Sequence, residues 1–323
     1  MHQFHLSVPL PDRFPPFRHE TPVLSLGSCF AEHLGSYLQR YKFPVVLNPF
    51  GILYNPLSLS KALRYLLGQE TLSRDALFEH RSLWRHLDFH THFAHPSREA
   101  AWQAMQASLR SAQEFLQRCD RLMLTFGTAF VYETAEGQQA VANCHQLPAA
   151  SFTKRRLSPN EIVEALQTVL RDLQLLRPGL EVVLTVSPVR HVRDGVHQNQ
   201  LSKAALLLAC EQLCTGERVC YFPSYELLLD ELRDYRFYAR DRVHPSAEAV
   251  DYIWERFSGL CFPEETQLLM REIEKVVRAS EHRPLHPGSE AHQAFVARQR
   301  LRLQELAQRY PDIDFSREWE RLG

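Results

Sequence analysis

Two residue types that can act as nucleophiles lie side by side where an apolar segment ends and a helical pattern begins. The segment Val23–Gly27 is mostly apolar, Ser28 and Cys29 follow it, and an amphipathic stripe starts at Phe30. A hydroxyl or a thiol at such a position can attack a carbonyl carbon when a base lies beside it. The amide groups at the start of a helix favour negative charge there. A serine here can also serve only as the cap of the helix.

Cys29 is the rival nucleophile, because a thiolate at a helix N-terminus is activated. The alternative is that Cys29 is a small buried residue on the packing side of the helix. Consecutive side chains diverge at such a turn, so only one of the two can point into a cleft. We predict that the reacting side chain is Ser28.

A carboxylate and an imidazole three residues apart could supply the base. Asp241 and His244 lie in the segment DRVHPS, where Pro245 and Ser246 begin another helical pattern. At this spacing the carboxylate can reach Nδ1 of the imidazole, which leaves Nε2 free to accept a proton from a serine. An Asp-x-x-His spacing alone is weak evidence for a catalytic pair. The evidence is more specific here because the pair precedes the last helix of an α/β pattern and Ser28 follows the first strand.

These segments resemble the signature of the GSCFA family, which is named for the five residues Gly27–Ala31. Similar blocks run in family order over about residues 20–260: NPFGILYNP (48–56), FGTAFVY (126–132), NCHQ (143–146), SPVRH (187–191), LSKAAL (201–206), YFPSYEL (221–227) and LRDYRFYARDRVHPS (232–246). The family looks like a branch of the SGNH, or GDSL-like, hydrolase superfamily. The resemblance implies that Ser28 is the nucleophile, His244 the base and Asp241 the carboxylate that orients it.

The resemblance also implies donors for the oxyanion of the reaction. They are the N–H groups of Ser28 and of Gly51. Where the superfamily has Gly-x-Asn-Asp, this chain has the sequence of residues 127–130, GTAF, and the asparagine is missing. Thr128 or Asn143 is the predicted substitute.

Histidines 90, 92 and 95 form an H-x-H-x-x-H string. Imidazoles suit zinc, but no Asp, Glu or Cys ligand pattern accompanies the string, so we predict no metal there. The alternative is that one of these histidines lines a substrate cleft, and the family resemblance implies that this residue is His90. Arg190 and His191 follow a predicted strand end and are predicted as further substrate contacts.

The composition is that of an ordinary globular protein. The 323 residues are 45% apolar and 23% charged, with a formal net charge of −1, so no global field favours nucleic acid or a membrane surface. The seven cysteines contain no CxxC pair, which indicates reduced thiols. No secretory signal and no membrane-spanning run are evident. We expect a cytoplasmic protein that needs no cofactor and acts on a small-molecule or sugar ester; its oligomeric state stays open.

Short apolar segments alternate with helical stripes along the chain. This pattern is typical of a parallel sheet with helices on both sides, and we predict a flavodoxin-like three-layer α/β/α fold. The predicted strands are Val23–Gly27, Val45–Leu47, Leu122–Phe126, Val182–Val186 and Val219–Phe222. Ligands of such folds bind beyond the carboxyl ends of the strands, which is where Ser28 falls.

We predict a hydrolase domain over residues 1–262, with an insertion at 75–100, and a helical extension over 263–323. The predicted function is that of a serine esterase or acyl hydrolase, with carbohydrate esters as one candidate substrate class. An O-acyltransferase is chemically the same enzyme with water excluded from the second step. A non-catalytic ligand-binding module on the same scaffold is the alternative from another class.

Overall fold

The computed structural model describes residues 6–283, 285–286 and 288–322. Its strands are β1 (Val23–Gly27), β2 (Val45–Leu47), β3 (Phe78–His80), β4 (Leu83–Arg85), β5 (Arg121–Phe126), β6 (Phe130–Thr134), β7 (Ala140–Val141), β8 (Phe152–Arg156), β9 (Glu181–Val186) and β10 (Val219–Phe222).

The helices are α1 (Cys29–Arg40), α2 (Pro56–Leu66), α3 (Arg98–Leu116), α4 (Pro159–Leu176), α5 (Val196–Leu213), α6 (Ser224–Glu226), α7 (Ala247–Cys261), α8 (Glu264–Ser280), α9 (Glu290–Arg309) and α10 (Ser316–Leu322). Among the described residues, six helices of 11 to 19 residues (α1–α5 and α7) pack around the sheet, α6 is a short turn of helix, and α8–α10 lie towards the C-terminal end.

Five parallel strands form the central sheet in the order β10–β9–β5–β1–β2. All five predicted strands are present, two of them one residue longer than predicted. Because the strands are parallel, their carboxyl ends meet at one edge. This carboxyl edge is where β1, β5 and β9 run into the loops that carry the candidate chemistry.

Alternate residues of each strand enter two separate cores. Leu122 and Leu124 of β5 pack into the core that holds residues of α2–α5. Met123, between them, packs into the core that holds residues of α1 and α7. Helices therefore cover both faces, and the predicted three-layer α/β/α fold is confirmed.

Two small antiparallel sheets lie outside the central one. One is the β3–β4 hairpin, within the predicted insertion, and the other has the order β7–β6–β8. Leu77 and Phe89 of the insertion segment are buried in the core beside α2 and α3. The segment is thus integrated into the packing of the domain.

Helices α8–α10 share a third, smaller core. They also contact the main domain through ion pairs. Arg40 Nε lies 2.9 Å from Glu274 Oε2, and Lys42 Nζ lies 2.6 Å from the buried Glu318 Oε2. Residues 1–5 of the predicted domain and 284, 287 and 323 of the predicted extension lie outside the described residues, and the division at 262 stays a prediction.

No helix in the described part of the chain combines the length and the apolar character that crossing a bilayer requires.

Candidate active site

The turn after β1 is possible only with glycine. A Cβ on Gly27 would lie 2.3 Å from the carbonyl oxygen of Thr125 on the neighbouring strand, and φ of Gly27 is +152°. Glycine tolerates both conditions because it has no Cβ. The close approach lets the chain leave the sheet directly into α1, so Ser28 and Cys29 stand at the carboxyl edge.

Ser28 is fully buried, with 0% of its surface exposed. Its N–H donates to Thr125 O at 3.0 Å, and its Oγ accepts from Phe30 N–H at 3.4 Å, so that it caps α1. No hydrogen bond joins Ser28 to His244, both of which the structure describes. In this conformation Ser28 Oγ is directed to the start of the helix and is buried, and its role as the nucleophile stays a prediction.

Cys29 is the first residue of α1 and is partly exposed. It shares a helix face with Glu32 and His33, at spacings of three and four residues, and both of these are exposed. Burial and the charge of Glu32 raise the pKa of the Cys29 thiol, while the ammonium of Lys203 acts in the opposite direction. The resting group is a neutral thiol that needs a base to react.

Asp241 and His244 form the predicted pair. Oδ2 of Asp241 lies 2.6 Å from Nδ1 of His244, and both side chains are about half exposed. Oδ1 accepts from the N–H groups of Val243 at 2.9 Å and of His244 at 3.0 Å. The hydrogen bond from the His244 ring, followed by these two backbone bonds, lowers the pKa of Asp241 to about 2. Asp241 is therefore a carboxylate that fixes the imidazole, and Nε2 has no hydrogen-bond partner among the described residues.

Backbone contacts tie the loop of this pair to the carboxyl edge. The N–H of Arg190, just after β9, donates to Val243 O at 3.1 Å, and the N–H of Ala239 donates to His244 O at 2.8 Å. Burial lowers the pKa of His33 on α1, the charge of Glu32 acts in the opposite direction, and the charge of His244 adds to the lowering. His33 and Pro245, the residue after His244, also line one cleft. The face of α1 that carries Cys29 and the imidazole of His244 thus border the same region.

The predicted oxyanion donors are engaged elsewhere. The Ser28 N–H bonds to the neighbouring strand, and the Gly51 N–H donates to Asn48 O at 2.7 Å. A Cβ on Gly51 would lie 2.2 Å from Cβ of His90, so the glycine serves close packing here. Neither amide is free to bind an oxyanion in this conformation.

The side chains of the two predicted substitutes for the missing asparagine also have hydrogen-bond partners. Thr128 Oγ1 lies 3.0 Å from Ser202 Oγ and accepts from Phe130 N–H at 3.1 Å. Asn143 Nδ2 donates one of its two N–H groups to Thr91 Oγ1 at 3.3 Å. The roles of Thr128 and Asn143 as oxyanion donors stay predictions. The Cys29 N–H differs, because the first amide of a helix has no intrahelical acceptor and no acceptor is found for it among the described residues.

Arg190 contacts the loop that carries the Asp241–His244 pair. Its guanidinium lies 3.9 Å from the ring centroid of Tyr238 and donates to Arg242 O at 3.2 Å. Both partners flank the Asp241–His244 pair. The predicted substrate contact of Arg190 is not tested by these contacts.

His191 lies deeper, in the loop after β9. Its ring meets Tyr54 edge-on with centroids 5.5 Å apart, and its buried Nε2 has no partner among the described residues. Burial lowers the pKa of His191 to about 3, assisted by the positive charge of Lys203. It is a neutral imidazole on the inner wall of the site.

The histidine string divides between two places. Nδ1 of His90 lies 3.2 Å from Nδ1 of His92, and both rings pack near Gly51. His95 instead pairs through its backbone with Trp84. The described residues contain no group of three or more His, Cys, Asp or Glu side chains that could hold a metal ion.

Two site residues were not predicted from the sequence, Tyr54 and Lys203. The Tyr54 carbonyl accepts from the N–H groups of Gly127 and Thr128, at 2.8 and 3.0 Å. Lys203, on α5, is 1% exposed, and its Nζ donates to Gly127 O at 2.7 Å and Ser187 O at 2.6 Å. The sequence signal for a buried lysine was its position inside the mostly apolar segment LSKAAL.

Clefts flank the Cys29 face on both sides. One, of about 350 Å³, is lined in part by Glu32, Asn48 and His92. Another, of about 370 Å³, is lined in part by His33 and Pro245. A larger groove of about 1090 Å³ lies far from this chemistry, between the proline-rich N-terminal segment and β10. We place the site at the carboxyl edge because a fixed Asp–His pair and two residues of nucleophile type border it.

The protein is thus an α/β protein whose parallel sheet carries an Asp–His pair at its carboxyl edge, near the start of α1. A model of the GSCFA family matches residues 22–257, most of the chain, and the chain belongs to that family. A second model, described as the C-terminal domain of GSCFA domain proteins, matches residues 273–322.

No curated protein matches the chain. Among solved structures it is similar to the crystal structure of a carbohydrate esterase family 3 from Talaromyces cellulolyticus, with 10% identity and a TM-score of 0.37 over 78% of this chain and 99% of the other. That likeness is too distant to assign an activity to this chain.

Proposed function

We propose that this protein is an acyl hydrolase that cleaves an ester through a covalent intermediate. The observation that carries the proposal is the Asp241–His244 pair, with 2.6 Å between Oδ2 and Nδ1 and with no hydrogen-bond partner for Nε2 in the described ranges. An imidazole held in this way is the usual base for activating a hydroxyl or thiol nucleophile. The resemblance to SGNH hydrolases stated for the sequence agrees with this chemistry.

We propose further that Cys29 is the nucleophile and that Ser28 is the helix cap. Ser28 is buried, and both its N–H and its Oγ already have partners within the protein. Cys29 is partly exposed and lies on the helix face that borders His244. Its N–H has no acceptor among the described residues. A serine mechanism would require Ser28 to abandon the cap.

The proposed reaction proceeds in two halves. The Cys29 thiol transfers its proton to Nε2 of His244 while the sulfur attacks the ester carbonyl carbon, and the Cys29 N–H donates to the oxyanion. The C–O bond then breaks, the alcohol takes the proton from the imidazolium, and a thioester remains. Water attacks the thioester with His244 again as base, which releases the acid and restores the thiol. Asp241 holds the tautomer and stabilises the imidazolium.

The test is a comparison of initial rates on p-nitrophenyl acetate, short-chain acyl esters and acetylated sugars. We expect Cys29→Ala and His244→Ala to lose on the order of 10³-fold or more in rate, and Ser28→Ala to retain most of it. Retention in Cys29→Ala with loss in Ser28→Ala would establish the serine mechanism instead. If the wild type binds such esters but turns none over, the proposal fails in favour of a non-catalytic binding module.

A further inference from the structure

The site has an unmet electrostatic requirement. Acyl transfer places negative charge on an oxygen and on the attacking sulfur, and donors aimed at that charge usually contribute most to catalysis. Here the Gly51 and Ser28 amides bind other backbone groups. Among the three backbone N–H groups of Ser28, Cys29 and Gly51, that of Cys29 has no acceptor in the part of the chain that the structure describes, so it is available to the oxyanion. Another source of positive potential would complete the site.

Lys203 provides a charge in the right place. Its Nζ is buried and donates to the carbonyl oxygens of Gly127 and Ser187, which directly follow β5 and β9. In the sheet, β5 lies next to β1, and β9 lies next to β5. One ammonium therefore links two strand ends at the edge where Cys29 begins α1.

The surroundings of this ammonium leave its charge largely uncompensated. Cys29 approaches from α1, the neutral His191 from the loop after β9, and Tyr225 from α6 with its ring centroid 5.7 Å from Nζ. No carboxylate within the described ranges forms an ion pair with Lys203. An unpaired buried charge is costly to stability, and an apolar residue of similar length would avoid that cost.

We propose that Lys203 is a positioning residue of the active site, whose buried ammonium fixes the ends of β5 and β9 and stabilises the negative charge that forms at Cys29. The relevance of this charge to catalysis rests on the proposed function; its effect on the Cys29 sulfur does not. The competing explanation is that Lys203 only joins two strands and is electrostatically silent toward Cys29.

The pH dependence separates the two explanations. Burial lowers the pKa of Lys203 to about 7, so its charge is present at pH 6 and absent at pH 9. Stabilisation of the thiolate should therefore be strong in acid and vanish in base. A purely structural contribution would change the reactivity of Cys29 by the same factor at both values.

The experiment measures alkylation of Cys29 by iodoacetamide, resolved by peptide mass, in wild type, Lys203→Met and the control Lys61→Met. Lys61 lies on α2, and its Nζ is 2.8 Å from Asp88 Oδ2. The control therefore also removes a partly buried ammonium. We expect Lys203→Met to react about five- to tenfold more slowly at pH 6 and within twofold of wild type at pH 9, and Lys61→Met to match wild type at both. Equal ratios at the two pH values for Lys203→Met would overturn the proposal.

A second comparison avoids any change at Lys203, in case Lys203→Met does not fold. Cys29→Asp places a permanent anion at the helix start, and Cys29→Asn is its neutral match in size. We expect the titration midpoint of the Lys203 ammonium, followed by ¹H–¹⁵N NMR, to be higher in Cys29→Asp than in Cys29→Asn. Equal midpoints would show that the two sites do not interact. Neither experiment measures ester cleavage, so a failure of the proposed hydrolase activity would be seen separately.

Discussion

Asp241 Oδ2 lies 2.6 Å from His244 Nδ1, and the same carboxylate accepts two backbone N–H groups through Oδ1. The carboxylate thus links the imidazole to the loop backbone, although both side chains are about half exposed. The main contribution of the Asp241 carboxylate is therefore to orient the His244 ring.

Replacing the carboxylate should therefore impair catalysis far more than folding. We expect Asp241→Asn to reduce ester turnover on the order of 10³-fold, because the amide no longer selects the tautomer with a basic Nε2. The melting temperature should change little, since the residue is exposed. Asp234→Asn is the matched control, because Asp234 also accepts a backbone N–H, that of Arg236 at 2.8 Å. Equal activity in the two variants would contradict a role for Asp241.

The capping role of Ser28 makes a prediction about stability. Ser28→Ala removes the acceptor of Phe30 N–H and should lower the free energy of unfolding by about 1 kcal/mol. Ser36→Ala on the exposed face of the same helix should be within about 0.5 kcal/mol of wild type. Urea denaturation measures both. A Ser28→Ala variant as stable as Ser36→Ala would show that the cap is not formed.

Close packing at the carboxyl edge should make Gly27 intolerant of a side chain. The Cβ of Gly27→Ala would meet the Thr125 carbonyl oxygen at 2.3 Å, whereas a Cβ on Gly216 meets nothing within 4 Å. We expect a loss of about 3 kcal/mol for Gly27→Ala and a small change for Gly216→Ala. Similar melting temperatures for the two variants would contradict the observed turn.

Two buried histidines should make the protein sensitive to acid. Burial lowers the pKa of His145 to about 4 and that of His191 to about 3, from 6.5. Below pH 6.5 the unfolded chain binds more protons at these groups than the folded chain does, so stability falls as the pH drops from 6.5 toward 4. We expect urea unfolding of His145→Gln to depend less on pH between 7 and 5 than unfolding of the wild type. Equal slopes would mean that His145 is not held neutral.

The sequence allowed the central sheet and its flanking helices to be predicted because their signals are local. Apolar runs marked all five parallel strands. Helix α4 begins at a capping box of Ser158 and Glu161, which is likewise a local feature of the sequence. The hairpin β3–β4 and the sheet β7–β6–β8 were not predicted, since their strands are short, partly exposed and lack a clear alternation.

The contact between Asp241 and His244 could be predicted because it depends on their spacing in the sequence. Contacts that depend on the direction in which a side chain points could not be predicted. Ser28 and Cys29 are adjacent, and only the ladder bond from Ser28 to Thr125 and the cap at Phe30 show which of them is turned inward. Lys203 escaped prediction because its partners are backbone carbonyls 16 and 76 residues away.

Trapping the acyl-enzyme tests the central claim most directly. The wild type would be mixed with p-nitrophenyl acetate, quenched in acid within milliseconds to seconds, digested and analysed by mass spectrometry. We predict an added acetyl group on Cys29, removable by neutral hydroxylamine as a thioester is, and absent from His244→Ala. An acetyl group on Ser28, or no adduct on either residue while the ester is consumed, would contradict the account.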